Sequence, residues 1–461
     1  MMAGNLVIRK RGFFSGLRLK ENKISANSPI EDFGIPGRVI IPLQQHTGAP
    51  CSPLVKRGDF VKAGQLIGDS AAKISAKIHA SISGEVTSIL RMVNPQTSTI
   101  IGAIEITSES DASSLKIDNN QQSMQKLDGN LQTSRFKELS RMVDRLSSRE
   151  LIEKIKDAGV VGMGGATFPT HFKLSVPEGK KIDTVIINGC ECEPYITADH
   201  RLMLDYGFEV LSGIYIIYRI LRPDQVFIAI EDNKEDAIDN LKKLIIVLGL
   251  EKMFRIVSLP SRYPMGAEKT LIKNVLLRKV PVGGLPLDVG VIVNNIGTAK
   301  AIFDAVSYDK PLIERVVTIT GDIREPKNLM VRIGTLIGDF CDYFGELDEK
   351  DYKIIFGGPM TGFSVVNMDF PITKGSNCLL VKEEKRRVEN NCIRCGRCIN
   401  VCPMNLMPLM YANYVKNNKF ELCRDYYIDS CIECGACAYV CPASIPLVGY
   451  IKTGKAALAR K

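Results

Sequence analysis

The chain has 461 residues, of which 45% are hydrophobic and 24% charged, a composition typical of soluble globular proteins of about three domains. The 60 basic and 51 acidic residues give a formal net charge of +9, which permits an acidic protein or lipid partner. No basic stripe interleaved with aromatics occurs, so no nucleic-acid partner is expected. Neither a spanning helix of roughly 20 apolar residues nor a signal peptide is expected. Fourteen cysteines favour metal ligation over disulfides.

The first part of the chain divides into an arm and a β-rich segment. Residues 1–30 form a basic arm with six Lys or Arg against one acid, Glu21. Residues 31–107 read as short strands with Gly-centred turns, such as Val55–Asp59, and indicate an all-β barrel-sandwich domain. The pattern is similar to biotinyl and lipoyl carriers, but the flanks of Lys73 lack the modification signature. We therefore expect a docking domain that a linker separates from the residues that carry the chemistry.

The chain after residue 107 divides by composition and pattern into four segments. Residues 108–134, rich in Ser, Asn and Gln, are expected to be a solvated linker. Residues 135–312 alternate apolar strands with helical patterns, which predicts an α/β domain with a largely parallel sheet. Residues 313–381 indicate a small α+β unit, and cysteines dominate residues 382–461. The expected elements of the α/β domain are strands Asp183–Asn188, Gln225–Glu231 and Val289–Asn294 and helices Ala198–Leu221, Asn233–Leu248 and Thr298–Val306.

The pattern CxxCxxCxxxCP occurs twice, beginning at Cys392 and at Cys431. Three closely spaced thiolates bind three irons of a 4Fe–4S cube, and the fourth cysteine, which precedes a proline, ligates the other cluster. We therefore predict two 4Fe–4S clusters in an α-helical, ferredoxin-type module. One cluster is predicted to be held by Cys392, Cys395, Cys398 and Cys441, and the other by Cys431, Cys434, Cys437 and Cys402.

Zinc seldom uses a third cysteine at this interval, which makes a structural zinc site the less favoured interpretation. Two adjacent clusters conduct single electrons.

Most of the other cysteines are expected to be small buried apolar residues, apart from the pair in a motif described below. These others are Cys51, Cys190, Cys192, Cys341, Cys378 and Cys423.

A glycine-rich segment, GVVGMGGATFPT, spans residues 159–170. Its glycines let backbone N–H groups approach a phosphate or a flavin ring closely. The segment follows a predicted helix, Arg149–Ala158, whereas the dinucleotide fingerprint requires a preceding strand. A standard Rossmann site is therefore not expected, and taken alone the segment fits a structural turn equally well.

Three further segments place polar groups at the ends of predicted elements. Asn188–Tyr195 (NGCECEPY) ends a strand, where α/β folds bind their ligands. Tyr263–Lys269 (YPMGAEK) precedes a helix. Val293–Thr298 (VNNIGT) ends another strand with two amides that can hydrogen-bond a ring edge or a ribityl chain.

Together these segments resemble the flavin-binding subunit family of respiratory complex I, whose patterns read GRGGAGFPTG…K, NADESEP, YxCGEET and VNNVET. The resemblance implies an unusual α/β domain that binds FMN and NADH in one pocket. It also implies that Phe168 lines the nicotinamide side, Glu193 hydrogen-bonds the nicotinamide, and Lys173 meets the FMN phosphate. The cofactor-binding residues that it implies are Gly162, Gly164, Gly165, Lys173, Asn188, Glu191, Gly266, Glu268, Asn294, Asn295 and Thr298.

The chain departs from that family's patterns at several positions. Three of the departures remove acidic residues, which concerns the binding of NADH more than that of FMN. The departing residues are Thr167 and His171 for Gly, Cys190 for Asp, Cys192 for Ser, and Ala267 and Gly297 for Glu.

The order of the parts resembles the RnfC family, a component of the Rnf complex, the ion-translocating ferredoxin:NAD oxidoreductase of bacterial membranes. Segments Ile41–His46, Glu191–His200 and Gly357–Gly362 carry the same resemblance. It implies a multidomain fold in which residues 313–381 are β-grasp-like, and an oxidoreductase and translocase that passes electrons between NAD(H), FMN and two clusters. The implied partners are the other subunits of the membrane complex and, indirectly, ferredoxin. The implied location is peripheral, on the cytoplasmic face of the inner membrane.

Two alternatives stay open. The loss of acids at Ala267 and Gly297 suits a non-catalytic relay that only passes electrons between proteins. Soluble cobalamin reductases share the flavin and cluster modules, but in them the barrel is expected after those modules.

Overall fold

The computed structural model describes residues 6–10, 16–94, 99–108, 129–345, 352–384 and 388–459. Within these ranges the chain forms four β-sheets and a C-terminal helical module. The strands are β1 Val7–Arg9, β2 Ile30–Asp32, β3 Arg38–Pro42, β4 Ser52–Pro53, β5 Phe60–Val61, β6 Leu66–Asp69, β7 Ile78–His79, β8 Gly84–Asn94, β9 Thr99–Thr107, β10 Thr184–Gly189, β11 Gln225–Glu231, β12 Phe254–Leu259, β13 Val291–Asn295, β14 Glu314–Gly321, β15 Lys327–Arg332, β16 Tyr352–Phe356, β17 Phe363–Val365 and β18 Cys378–Glu383. The helices are α1 Gly129–Arg145, α2 Ser148–Asp157, α3 Thr170–Leu174, α4 Ala198–Asp205, α5 Gly207–Leu221, α6 Glu235–Val247, α7 Glu268–Leu276, α8 Ile296–Tyr308, α9 Cys341–Phe344, α10 Arg397–Asn400, α11 Pro408–Lys416, α12 Ala436–Tyr439 and α13 Leu447–Ala459.

Two small antiparallel sheets form the barrel-sandwich domain, with the orders β3-β9-β8-β5 and β4-β6-β7. The turns before β5 and β6 contain Gly58 and Gly64, whose φ angles of 89° and 86° favour glycine over residues with a side chain. Val39, Ile67 and Ile104 are fully buried in the core that the two sheets share. The Gly-centred turns therefore lie where the sequence predicts them.

A parallel five-stranded sheet with the order β1-β12-β11-β10-β13 forms the centre of the chain. Its strands are almost continuously apolar because both faces are covered, as is usual for parallel sheets. Val185 and Ile187 belong to the core that includes α5 and α8, whereas Ile186 belongs to the core that includes α7. The expected strands form within two residues of their predicted ends. The expected helix Ala198–Leu221 is instead two helices, α4 and α5, which meet at the non-helical backbone of Tyr206.

A mixed six-stranded sheet follows, with the order β17-β16-β18-β14-β15-β2. Strand β14 pairs antiparallel with β15 and parallel with β18. Val317, Phe340 and Leu379 lie in a core of its own. In the C-terminal module that comes next, α10 and α12 each lie inside one cysteine motif, and α11 packs against α13.

The first thirty residues, which the sequence indicates only as a basic arm, contribute strands to two sheets where the structure describes them. Strand β1 adds a parallel edge strand to the central sheet, and Leu17 forms a bridge with Tyr263. Strand β2 pairs with β15 of the six-stranded sheet. Three-residue strands carry too little hydrophobic pattern to stand out against a high content of basic residues, which is why the sequence indicates only an arm. Removal of residues 1–107 would therefore delete β1 from the edge of the central sheet and β2 from the edge of the six-stranded sheet.

The expected linker lies mostly outside the described residues, and residues 129–134 at its end are already helical. They begin α1, which buries Phe136, Leu139 and Val143. No helix in the described ranges is both long and apolar enough to cross a membrane.

Candidate cofactor sites

The glycine-rich loop is closed on itself and attached to α8. The Gly162 amide donates a hydrogen bond to the Phe168 carbonyl at 2.9 Å. The Met163 amide donates to the fully buried hydroxyl of Thr298 at 2.9 Å. Thr298 therefore positions the loop through its hydroxyl, whereas the sequence assigns it to the cofactor directly. Residues Gly164–Ala166 at the tip of the loop are exposed.

Asn295 connects this loop to two helices. Its side-chain oxygen accepts hydrogen bonds from the amides of Gly297 and Thr298 at 2.8 and 3.4 Å, and it thereby caps α8. Its side-chain nitrogen donates to Asp199 at 2.6 Å. A Cβ atom on Gly164 would lie only 3.0 Å from the Cβ of Asn295. The first and fourth motifs are thus in direct contact, as the resemblance implies.

Asn294 provides a test of whether this edge of the sheet fits a flavin. The residue is 5% exposed, yet its side-chain nitrogen has no hydrogen-bond partner in the described part of the chain. A buried donor without an acceptor costs roughly 1–3 kcal/mol. Asn294 lies at the carboxyl end of β13, where α/β folds bind their ligands. Its unpaired donor is therefore compatible with a ligand that offers acceptor oxygens, as FMN does.

The second and third motifs are joined through Asn188. Its side-chain nitrogen donates to the Gly266 carbonyl at 2.8 Å, and its oxygen accepts from the Cys190 amide at 3.2 Å. Lys173 and Glu268 join the first and third motifs by an ion pair of 3.0 Å. Both side chains of this pair are partly exposed, at 29% and 40%. The phosphate contact of Lys173 stays a prediction, and Glu268 is the carboxylate that a phosphate would have to replace.

Glu191 binds backbone rather than solvent. Its carboxylate accepts hydrogen bonds from the amides of Asp199 and His200 at 2.7 and 3.2 Å, in the first turn of α4. A carboxylate at this end of a helix is favoured by the unpaired N–H groups there. Its own backbone is left-handed, with φ of 46°. Glu191 therefore orients the loop that carries the second motif.

Glu193 differs from its expected role. Its carboxylate accepts hydrogen bonds from the Met360 amide at 3.1 Å, and from the amide and hydroxyl of Thr361 at 2.8 and 2.5 Å. Burial raises the pKa of Glu193, and these hydrogen bonds oppose that shift. Both carboxylate oxygens are thus engaged by residues 360–361. In this structure Glu193 holds that loop, and a hydrogen bond to nicotinamide would require these contacts to be exchanged.

Lys23 binds the backbone of the segment that carries Glu191 and Glu193. Its ammonium donates to the carbonyls of Glu191, Glu193 and Ile196 at 2.8, 2.9 and 2.5 Å. Burial lowers the pKa of Lys23. In the sequence it is one of six basic residues of the arm, and no local signal separates it from the others.

Cys190 and Cys192 form no disulfide in this structure. Cys190 is fully buried and points its sulfur at the Ala229 carbonyl. Burial raises the pKa of both thiols well above the ordinary value. Nucleophilic attack needs the thiolate, which burial disfavours at both residues. Of the remaining cysteines, Cys51, Cys378 and Cys423 are buried as expected, while Cys341 is exposed.

Two cavities in the C-terminal module are each lined by four cysteines. The first cavity also has Arg394, Arg397 and Lys416 in its wall. Its cysteines Cys392 and Cys395 are exposed, whereas Cys437 of the second cavity is buried. The first cavity is lined by Cys392, Cys395, Cys398 and Cys441 and the second by Cys402, Cys431, Cys434 and Cys437. Four thiols around one cavity are the donor set that a 4Fe–4S cube requires, and each set contains the cysteine that the crossed assignment predicts.

The second cysteine cavity adjoins the flavin motifs. The Tyr263 hydroxyl donates to the Cys434 carbonyl at 2.6 Å. A Cβ on Gly435 would lie 2.5 Å from the Met360 carbonyl, in the loop that Glu193 holds. The motif loops of the α/β domain are thus in contact with the loop that carries the second cysteine set.

A large cavity of about 840 Å³ lies beside the glycine-rich loop. It is bordered by residues 164–167 of that loop, by residues 357–363 and 373–377 of the six-stranded sheet, and by residues 44–48 of the barrel. Glu193 also lines it, while Phe168 does not. Phe168 is half-buried, and its ring meets that of Phe172 edge-on at 5.7 Å. Three domains therefore form one cavity, and the contribution of the barrel carries no chemical signal in the sequence.

Comparison with known proteins identifies the class first. The Nuo51 FMN-binding domain matches residues 155–304, and a 4Fe-4S dicluster domain matches residues 391–445. The RnfC barrel sandwich hybrid domain matches residues 11–111. The chain is thus an electron-transfer flavoprotein with an FMN-binding domain and two 4Fe–4S clusters.

Relatives that match most of the chain identify a family within this class. The C subunit of the proton-translocating ferredoxin:NAD(+) oxidoreductase complex of Clostridium ljungdahlii is 45% identical over 88% of this chain and 84% of that protein. The C subunit of the Na(+)-translocating complex of Acetobacterium woodii is 39% identical over 84% of this chain and 83% of its own length. The C subunit of the ion-translocating oxidoreductase complex of Pseudomonas aeruginosa is 39% identical over 97% of this chain and 55% of its own length. The chain belongs to the RnfC family, the C subunits of ion-translocating ferredoxin:NAD+ oxidoreductases.

Proposed function

We propose that this chain passes electrons between NAD(H) and its two 4Fe–4S clusters by way of FMN, as one subunit of an ion-translocating ferredoxin:NAD+ oxidoreductase. The observation that carries this proposal is the contact between the flavin motifs and the second cysteine set. Tyr263 donates to the Cys434 carbonyl, and Met360 lies against Gly435. A cofactor at the sheet edge would therefore have a cluster as its neighbour.

The positions of the two cysteine sets indicate the order in which electrons pass through the two clusters. The set around Cys431 adjoins the α/β domain, and the set around Cys392 has exposed members. We infer that the Cys431 cluster exchanges electrons with FMN and that the Cys392 cluster exchanges them with another subunit of the complex. Ferredoxin is an indirect partner.

When bound, FMN exchanges two electrons with a nicotinamide and single electrons with a cluster. The chain supplies the binding and the orientation. Gly164 and Gly165 keep side chains away from the exposed tip of the loop, and Asn294 offers its buried donor. Lys173 provides a cation for the phosphate, in exchange for its pair with Glu268. Phe168 is proposed to line the nicotinamide side.

The location that we propose is the cytoplasmic face of the inner membrane, with attachment through the other subunits. Its support is the naming of the relatives as subunits of ion-translocating complexes. NADH, the soluble reductant, is expected on that face.

The first experiment is anaerobic addition of NADH to the purified chain, with the flavin absorbance recorded. Bleaching of the flavin followed by reduction of the clusters is expected. The relay alternative rests on Ala267 and Gly297, which stand where the related family has acids. Bound flavin that NADH does not bleach, but that a partner subunit reduces, would contradict the NADH reaction and favour the relay.

A further inference from the structure

The barrel contributes a wall to the large cavity. A segment that we call the barrel loop, residues 44–48 between β3 and β4, lines this cavity together with residues of the segment 373–377. Residues 164–167 of the glycine-rich loop line the same cavity. The barrel is therefore part of the surroundings of the proposed flavin site.

Thr47 makes the direct contact. Its hydroxyl donates to the Ala166 carbonyl at 2.5 Å, and its amide donates to the Thr167 carbonyl at 3.2 Å. These are the two residues at the end of the glycine-rich tip. Their carbonyls point toward the barrel, and one residue of the barrel binds both.

The glycine-rich loop needs such support because Thr167 has a left-handed backbone with φ of 49°. That conformation is unfavourable for a β-branched residue and persists only where the surroundings hold it. The surroundings here are Thr47 on one side and Gly375 on the other. A Cβ on Gly375 would lie 2.8 Å from the Thr167 methyl group. The strained residue is thus held between the barrel and the six-stranded sheet.

The barrel loop is itself anchored. The buried Gln45 accepts a hydrogen bond from the Lys374 amide at 2.9 Å. The Lys374 ammonium donates to the carbonyls of Lys77 in the barrel and Gly159 at the start of the glycine-rich segment, both at 2.7 Å. His46 binds the Ala49 carbonyl at 2.9 Å. These contacts keep Thr47 in register with the loop that it binds.

We propose that Thr47 is a positioning residue of the flavin site, and that the barrel holds the glycine-rich loop in the conformation that binds FMN. This inference rests on the proposed function, because it assigns the barrel a part in that same site. The barrel, which the sequence indicates to be a docking domain, is in this proposal a component of the cofactor site.

The test is the rate at which FMN leaves the anaerobically purified full-length chain, followed by the fluorescence of released flavin. Thr47→Val removes the hydroxyl and keeps the size, and loss of one hydrogen bond should speed release roughly two- to fivefold. Thr47→Ser should restore the slow rate. Thr87→Val is the matched control, because the Thr87 hydroxyl lies 3.4 Å from that of Thr107 in an exposed pair of the barrel domain, and neither residue lines the cavity. Iron content should stay constant in all of these variants.

Gly375→Ala approaches Thr167 from the other side and should also speed release. Equal release rates for Thr47→Val, Thr87→Val and the unaltered chain, with FMN bound, would overturn this inference and leave the proposed function standing. Failure of Thr47→Ser to restore slow release would overturn it as well. An unaltered chain that holds no FMN would overturn the proposed function and this inference together.

Discussion

Cys402 belongs to the first cysteine motif along the chain, but its side chain lines the second cavity. The reason is local: the proline after it ends the motif, and the chain turns from α10 toward the neighbouring cysteine set. A cysteine can therefore belong to one motif in the sequence and line the cavity of the other motif in the structure. The same holds for Cys441, which lines the first cavity.

The first prediction concerns this crossing. Cys402→Ser should lower the iron content from about eight to about four per chain, because one 4Fe–4S cube loses a ligand. The lost spectroscopic signal should be that of the cluster held by Cys431 and its neighbours. Cys341→Ser, a change at an exposed cysteine outside both cavities, is the control. Loss of the Cys392 cluster alone would contradict the crossed assignment.

The second prediction concerns Gly164. Gly164→Val should weaken FMN binding by about tenfold or more, because a side chain at the tip of the loop blocks close approach of the cofactor to the backbone and crowds Asn295, the cap of α8. The relevant distances are 3.0 Å to the Asn295 Cβ and 3.1 Å to its side-chain nitrogen. Flavin content and iron content, measured on the same sample, check the prediction. Gly37→Val is the control, since a Cβ at Gly37 meets nothing within 4 Å. Full flavin content in Gly164→Val would rule the loop out as the site.

Among the elements of the fold, the segment between β10 and α4 is held at three points. Glu191 binds the first turn of α4, Glu193 binds residues 360–361, and Lys23 binds three of the segment's carbonyls. Each of these side chains is charged and partly withdrawn from water, so each depends on its partners. The segment is therefore built by the N-terminal residues and the six-stranded sheet as much as by its own sequence.

The third prediction follows for Lys23. Lys23→Met keeps much of the volume but leaves three carbonyls without their donor, which should reduce the free energy of unfolding by about 2–4 kcal/mol. Unfolding by denaturant under anaerobic conditions measures this change. Lys20→Met, at an exposed lysine of the same basic region, should have no comparable effect. Equal midpoints for the two variants would show that Lys23 contributes no more than a surface charge.

In the molecule as a whole, the barrel, the glycine-rich segment and the six-stranded sheet meet around Lys374. This buried lysine has no carboxylate partner among the described residues, and burial lowers its pKa to about 7. His46 and His79 lie on the barrel side of the same junction and are also buried. Burial, together with the positive charge of Lys374, lowers the pKa of His46 to about 4 and that of His79 to about 3. Both histidines are therefore neutral in the folded chain near pH 7.

The fourth prediction is an acid sensitivity of this junction. Both histidines are neutral in the folded chain, while the unfolded chain takes up their protons near pH 6.5, so stability is present above that pH and is lost as the pH falls toward 4. The loss at pH 5 should be about 1–2 kcal/mol for each histidine. Hydrogen exchange of barrel amides at pH 7 and pH 5, corrected for intrinsic rates, measures it. His79→Gln should remove part of the dependence. Lys77 and Asp157 are the other charged groups that act on His79. Unchanged protection at pH 5 would contradict the prediction.

Features that depend on short stretches of chain could be predicted without the fold. The spacing of the eight cysteines, the Gly-centred turns of the barrel and strand β11, which matches its expected bounds, are of this kind. Apolar periodicity and ligand spacing act over a few residues, so their consequences are visible in the sequence. The four flavin motifs are also recognisable there, and the structure brings them into contact.

Which polar groups are free at the site and which are engaged depends instead on contacts between distant parts of the chain. Glu193 is engaged by Thr361, 168 residues away, and Lys23 reaches the Glu193 carbonyl across 170 residues. Thr47 binds Ala166 across 119 residues. Such contacts join segments that share no local pattern, and each forms because a buried charge or a strained backbone must find its partner wherever the packed sheets place one. The barrel is part of the cavity beside the flavin motifs for that reason, although its sequence shows only strands and turns.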